Sequence, residues 1–134
     1  MNIPEGEVCD RYTILRMKAR LDEGAAMLLK QYDAEFQIIL DHAIQSARED
    51  VFMEHVLMLQ EANSKIWMLE ASMRQEFKND LSAQETLDMS EFGRRALAIR
   101  DINKLRVKAK ADIDELFGGI REGKFDHASG GDVG

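Results

Sequence analysis

The 134 residues carry a net charge of −7 and are 45% hydrophobic and 32% charged, a composition typical of one soluble domain. The acidic balance argues against non-specific binding to nucleic acids and to anionic membranes, because both depend on a basic surface. The single cysteine, Cys9, excludes an internal disulfide, and the apolar runs are far shorter than the ~20 residues that span a bilayer. We therefore expect a cytoplasmic protein without a secretory signal or a membrane-spanning segment.

Four stretches show the three- and four-residue spacing of apolar side chains that is typical of amphipathic helices. The first predicted helix begins at residues 4–7, where proline and acidic groups suit a first turn, and ends near Leu21, before the glycine of residues 22–24. The second covers residues 25–47. The predicted inner stripes consist of Val8, Tyr12, Leu15 and Ala19 in the first helix and Ala25, Leu28, Tyr32, Phe36, Ile39 and Ala43 in the second.

The third and fourth predicted helices are the longest. The third covers residues 51–79, with Asp50 as its N-cap. Residues 82–85 have the spacing of a capping box and predict a short extra helix. Ser90 is the expected N-cap of the fourth helix, which covers residues 91–117. The apolar side of this helix consists of Phe92, Ala96, Ile99, Ile102, Ala109, Ile113 and Leu116.

These elements predict an all-α fold, an antiparallel bundle of about four helices in which the third and fourth are long. Residues 1–117 form the single helical domain. Residues 118–134 hold six of the nine glycines and are expected to be a flexible C-terminal tail. Because two-fold dimers are the commonest assembly of soluble oligomers, we expect a homo-oligomer.

The apolar seam of the third helix contains two polar residues, Asn63 and Glu70. An unpaired carboxylate in a core costs several kcal/mol unless it holds a proton, so a buried Glu70 needs a partner, and Arg74 lies one turn further on. Asn63 also has a structural interpretation, since one buried asparagine in a helical seam fixes register and oligomeric state. The whole seam consists of Phe52, Val56, Leu59, Asn63, Ile66, Glu70, Met73 and Phe77.

The charge of the chain is unevenly distributed. Residues 93–110 hold seven Lys or Arg and one Asp, a local charge of +6, so the remaining residues carry −13. One interpretation is that this basic helix pairs with acidic neighbours inside the bundle. The other is that it helps to bind a small anion.

Polar side chains of the third and fourth helices converge if the two helices face each other. Arginine binds carboxylate or phosphate through paired N–H groups, asparagine orients polar edges, and tryptophan stacks on flat rings or cations. This set predicts a site for a small anionic ligand such as a nucleotide, and the alternative is a structural network in which the same groups satisfy one another. The predicted site residues are Asn63, Trp67, Glu70, Arg74, Arg94, Arg95, Arg100, Asn103 and Arg106.

A second polar cluster in the first helix consists of Glu7, Asp10, Arg11 and Lys18. Glu7 and Arg11 have the i, i+4 spacing of an ordinary ion pair. That pair is the structural interpretation of the cluster, and a further polar site is the functional one.

Three sequence elements carry a family resemblance. They are the run GEVCDRYTILRMK from Gly6 to Lys18, the N-x-x-I-W-x-x-E-x-x-x-R element from Asn63 to Arg74, and the I-N-x-x-R element from Ile102 to Arg106. Together they resemble an uncharacterised family of small all-helical bacterial and tailed-phage proteins that opens G-E-x-x-D-[KR]-x-T-I-L-x-x-K, with Cys9 a slight departure. The resemblance implies a helical fold and a bacterial or phage source, hence the host cytoplasm for a phage product. It implies no activity.

Sequence signatures of catalysis are missing from the chain: there is no Walker loop, no glycine-rich dinucleotide motif and no nucleophile elbow. None of the three histidines follows a glutamate at the spacing of a di-metal bundle, so we expect no metal and no cofactor. The leading hypothesis is non-catalytic binding of a small anion, with phage-type sequestration of a signalling nucleotide as one form of it. The alternatives are a helical protein-interaction module that docks on a larger partner and, more weakly, a nucleotide hydrolase that uses Glu7, Asp10 and Glu70.

Overall fold

The computed structural model describes the backbone of residues 1–79 and 85–123 and the side chains of residues 1–74 and 89–123. This part of the chain contains helices and turns and no strand, as predicted for an all-α fold. None of its helices has a stretch that is long and apolar enough to cross a membrane. The four helices are α1 (Glu5–Lys18), α2 (Glu23–Gln45), α3 (Glu49–Asn79) and α4 (Glu85–Arg121).

One aromatic side chain from each helix contributes to a continuous set of ring contacts through the core. Tyr12 of α1 stacks on Phe36 of α2 with 4.3 Å between ring centroids, and Phe36 lies 5.8 Å from Phe52 of α3. Phe52 meets Phe117 of α4 edge to face at 5.5 Å. Such contacts stabilise a core by about 0.5–1.5 kcal/mol beyond the burial of apolar area. Together they join all four helices in one core.

The long helices extend beyond the short ones. At about 1.5 Å per residue, α1 is roughly 21 Å long and α4 roughly 55 Å. As a result the predicted apolar side of α4 is buried only in its C-terminal half, at Ala109, Ile113 and Leu116, whereas Phe92 remains 45% exposed. In α2 the predicted stripe is buried except at Leu28. The seam of α3 is buried as far as Asn63, and Glu70 beyond it is exposed.

Three predicted helix ends are wrong. Residues 22–24 do not close α1, because the Asp22 carboxylate accepts a hydrogen bond from the Gly24 N–H at 3.1 Å and caps α2 instead. Asp50 lies within the first turn of α3, one residue after its start. Ser90 lies inside α4, which begins at Glu85, and no glycine or proline interrupts the helix between the two residues. The capping box predicted at residues 82–85 lies outside the described residues except for Glu85, because residues 80–84 are not described.

The C-terminal end of α4 lies beyond its predicted end. The helix continues to Arg121 through two glycines, so the boundary of the tail at residue 118 is wrong. Gly119 is buried and Ile120 packs against the core, and this packing outweighs the low helix propensity of glycine. Residues 124–134 lie outside the described residues, so a flexible tail there stays a prediction. The expected homo-oligomer also stays a prediction.

Candidate functional site

A buried polar network joins α1, α3 and α4. The Asp10 carboxylate is fully buried. The Arg106 guanidinium donates two hydrogen bonds to it, from Nε to Oδ1 at 2.8 Å and from Nη2 to Oδ2 at 2.5 Å. Asn63 Nδ2 donates to Asp10 Oδ1 and to Thr13 Oγ1, both at 2.9 Å. Thr13 Oγ1 donates to the Asp10 carbonyl oxygen at 2.8 Å, and Asn103 Oδ1 accepts from Arg106 Nη1 at 3.1 Å. We call these five residues the Asp10 network.

The electrostatics of the network favour a stable ion pair. Burial raises the pKa of Asp10, but hydrogen bonds from Arg106 and Asn63 outweigh it, so the pKa of this carboxyl lies below its usual range. The hydrogen bond with Asp10 in turn raises the pKa of Arg106. Asp10 is therefore ionised at neutral pH, with both of its oxygens engaged. This geometry favours a structural role for Asp10 over the role of catalytic base that a hydrolase would need.

The nine residues predicted to line an anion site do not converge on one place. Asn63, Asn103 and Arg106 belong to the Asp10 network. There Asn63 and Arg106 donate to a carboxylate of the protein itself, and Asn103 accepts a hydrogen bond from Arg106. Glu70 and Arg74 are exposed on α3. These two residues lie beyond the buried part of the seam. The prediction that Glu70 needs Arg74 as a partner assumed a buried carboxylate, and that condition is not met.

The predicted arginines of α4 also point in different directions. Arg95 donates to Ser72 Oγ of α3 at 2.9 Å and to Glu91 Oε1 at 3.0 Å, so it joins the two long helices. Arg94 and Arg100 are 70% and 63% exposed and lie near carboxylates of α4 itself. Trp67 is half-buried and lines a different cleft, between α3 and α1.

The second predicted cluster forms ion pairs in part. Glu7 Oε2 lies 2.8 Å from Arg11 Nε, as the i, i+4 spacing predicts, and Glu7 Oε1 lies 2.6 Å from Lys110 Nζ of α4. The hydrogen bond from Lys110 contributes most to holding the pKa of Glu7 below its usual range. Asp10 belongs to the buried network and Lys18 is exposed, so the four residues do not form one site.

A cleft of about 440 Å³ lies between α1 and α3 beside the Asp10 network. Of its nine described lining residues only Trp67 is among the predicted site residues, and the charged residues that the prediction misses are Arg16 and Arg20. The signal was present, since the two arginines are one turn apart and share a helix face with Thr13. The cleft is lined by Thr13, Arg16, Met17, Arg20, Leu21, Gln60, Ser64, Trp67 and Met68.

Metal and thiol chemistry have little support in the part of the chain that the structure describes. No group of three His, Cys, Asp or Glu side chains there lies close enough together to hold a metal ion. The Cys9 thiol is fully buried, and burial with nearby carboxylates raises its pKa to about 12. Cys9 is therefore a poor nucleophile at neutral pH, because the thiolate is the reactive form.

No family model, no curated protein and no solved structure matches the chain. The family resemblance of the sequence therefore stays a prediction. The fold and the cleft define a helical bundle whose cleft is lined by arginine and tryptophan side chains.

Proposed function

We propose that this protein binds a small organic anion, of the size and chemistry of a nucleotide, in the cleft between α1 and α3, and does not convert it. The observation that carries the proposal is the placement of two arginines and the single tryptophan of the chain around one cleft of about 440 Å³. Sites for small molecules are typically concave and of about 300–1,000 Å³.

The charge of the cleft supports an anionic ligand. Both ionisable side chains that line it are arginines, Arg16 and Arg20. Among the described residues neither forms an ion pair, and Arg16 lies over the Tyr12 ring with its guanidinium carbon 5.6 Å from the centroid. A phosphate or carboxylate in the cleft would therefore accept charge-assisted hydrogen bonds without displacing an internal partner.

The other lining residues support a ligand that also carries a flat ring. Trp67 is half-buried and lines the cleft, and an indole is the side chain that would stack on a flat ring bound there. Met17 and Met68 add adaptable apolar surface, and Gln60 supplies hydrogen-bonding groups. This combination favours a phosphorylated nucleoside over inorganic phosphate alone.

The Asp10 network supports a cleft of fixed shape. Thr13 lines the cleft, and its hydroxyl is held between the Asp10 carbonyl oxygen and the Asn63 amide. A wall that is already ordered loses little conformational freedom on binding. Binding without conversion would serve to sequester a signalling nucleotide, a role that suits a phage product in its host.

Thermal unfolding in the presence of ribonucleoside phosphates, the matching nucleosides and inorganic phosphate tests the proposal. We expect the ribonucleoside phosphates to raise the Tm by several degrees, since a ligand at a hundred times its Kd stabilises the folded state by about 2.7 kcal/mol. The double variant Arg16→Gln/Arg20→Gln should lose this shift. The matched control Arg94→Gln/Arg100→Gln removes two exposed arginines of α4 and should keep it.

Two outcomes would contradict the proposal. An equal rise in Tm for the wild type and the Arg16/Arg20 variant would place the anion outside the cleft. The absence of a shift with every anion of the panel would remove the proposed function itself.

A further inference from the structure

The basic side chains of α4 fall into two groups, one that contacts other helices and one that is exposed. Three of the seven Lys or Arg side chains in residues 93–110 contact α1 or α3: Arg95, Arg106 and Lys110. The other four are 63–71% exposed, and their ion-pair partners among the described side chains lie on α4 itself. These four are Arg94, Arg100, Lys104 and Lys108.

Two leucines lie among these four cations. Leu97 is 51% exposed and Leu105 is 53% exposed, and they are two helical turns apart in one row with Asp101 between them. We call the four exposed cations, the two leucines and Asp101 the outer face of α4. From residue 94 to residue 108 it is about 21 Å long, or four helical turns.

We propose that the outer face of α4 docks an acidic, leucine-bearing helix of another protein. Charge complementarity carries the proposal, because the four cations are 63–71% exposed and, of the three carboxylates that pair with them, only Asp101 is exposed to the same degree. The other two, Glu91 and Asp112, are 37% and 26% exposed, so the cations form the outermost charged groups of the face. The leucines supply the apolar anchors that a helix in a groove or along a helix face requires. The inference is independent of the proposed function, since none of these residues lines the cleft.

Three of the four cations of the outer face are in ion pairs that leave them available to a partner, and Lys108, which donates to Asp112 at 2.8 Å, is the exception. Arg94, Arg100 and Lys104 lie 3.6, 3.5 and 4.0 Å from their carboxylates, and all three are highly exposed. Long, exposed pairs of this kind are weak and exchange readily with solvent or with another carboxylate. Arg106, by contrast, is bound by the buried Asp10 carboxylate and is not available to a partner.

A protein partner fits the outer face better than a membrane or a nucleic acid. Asp101 lies at its centre, 64% exposed, and would face a continuous layer of phosphate in either polyanion. The net charge of −7 adds long-range repulsion. A helix, by contrast, can place glutamates opposite the cations and a basic or polar side chain opposite Asp101.

The test uses a synthetic amphipathic helical peptide of about four turns with leucines on one stripe and glutamates beside it. Its binding to the full-length protein is followed by fluorescence anisotropy. A second peptide with glutamine at every glutamate position, and vesicles of phosphatidylcholine and phosphatidylserine, are the comparison probes. We expect micromolar binding of the glutamate peptide, at least tenfold weaker binding of the glutamine peptide, and no binding of the vesicles.

Variants locate the peptide on the protein. Arg100→Glu/Lys104→Glu and Leu97→Ala/Leu105→Ala should each weaken binding tenfold or more, with the helical circular dichroism unchanged. Lys30→Glu, an exposed charge reversal on α2, is the matched control and should bind like the wild type. Light scattering should give the wild type and Leu97→Ala/Leu105→Ala the same mass, because the outer face does not mediate self-association.

Any of four results would overturn the proposal. The first two are equal binding of the two peptides and undiminished binding by the α4 variants. The third is tighter binding of the vesicles than of the glutamate peptide, which would make the face a membrane surface. The fourth is a concentration-dependent oligomer that disappears in Leu97→Ala/Leu105→Ala, which would assign the face to a second copy of the chain.

Discussion

Asp10 is the residue on which the buried polar contacts depend. Its carboxylate receives hydrogen bonds from Asn63 of α3 and Arg106 of α4, so one side chain of α1 satisfies polar groups in two other helices. The sequence shows that Asn63 and Arg106 are polar residues in apolar seams. It does not show that they share a partner, because the three residues are separated by 53 and 96 positions along the chain.

Replacing Asp10 by asparagine should destabilise the protein in a pH-dependent way. At pH 7 we expect Asp10→Asn to lower the free energy of unfolding by about 2–4 kcal/mol, because Arg106 loses its buried counter-ion. The pKa of Asp10 is lowered in the folded state, so the carboxylate stabilises fully above its ordinary pKa of about 3.9 and loses this contribution as the pH falls through the lowered value. The difference between wild type and variant should therefore shrink below about pH 4.

Urea denaturation at a series of pH values measures this difference. Asp41→Asn, which removes an exposed carboxylate of α2, is the control and should change stability by less than about 0.5 kcal/mol. A deficit of Asp10→Asn that stays constant down to pH 3 would show that the charge of Asp10 does not stabilise the fold.

At the scale of elements, α1 is the shortest helix and packs against all three others. Its first turn has no side-chain cap of its own, and the Gly6 N–H instead donates to Asp114 Oδ1 of α4 at 2.8 Å. A carboxylate at this end also suits the positive end of the helix dipole. The sequence predicts a helix start at residues 4–7 but not this contact, because the carboxylate is 108 residues away.

Gly6 is required because the α4 backbone passes close to it. A Cβ at this position would overlap the Lys110 carbonyl oxygen, a backbone atom that cannot turn aside. We expect Gly6→Ala to destabilise the protein by about 1–3 kcal/mol or more, through separation of α1 from α4. Chemical denaturation measures the effect.

Gly93→Ala is the matched control for this substitution. Gly93 lies inside α4, and outside the backbone of its own helix no described residue has an atom within 4 Å of its would-be Cβ. Alanine there should therefore stabilise by up to about 1 kcal/mol through helix propensity. Stabilisation by both substitutions would mean that α1 and α4 are not in close contact at Gly6.

At the scale of the whole molecule, the helical periodicity of the sequence predicts the four helices and most of their buried residues. It does not predict how far each helix is covered, since that depends on the different lengths of α1 and α4. The sequence does not predict the cleft either, because Arg16 lies on the polar side of α1 and Arg20 in the turn after it, and polar helix faces and turns are usually solvated. Trp67 is predicted to contact a ligand between the third and fourth helices, whereas the structure places it in the cleft between α3 and α1, and its contact with a ligand stays a prediction.

The emission of Trp67 tests the central claim most directly, because this residue lines the cleft and is the only tryptophan of the chain. The protein is titrated with the ribonucleoside phosphate that gives the largest rise in Tm, and with the matching nucleoside. We predict saturable quenching of Trp67 by the phosphorylated ligand, with a Kd at least tenfold weaker in Arg16→Gln/Arg20→Gln. Tm stabilisation without a change in Trp67 emission, or equal quenching in wild type and variant, would contradict a binding site in this cleft.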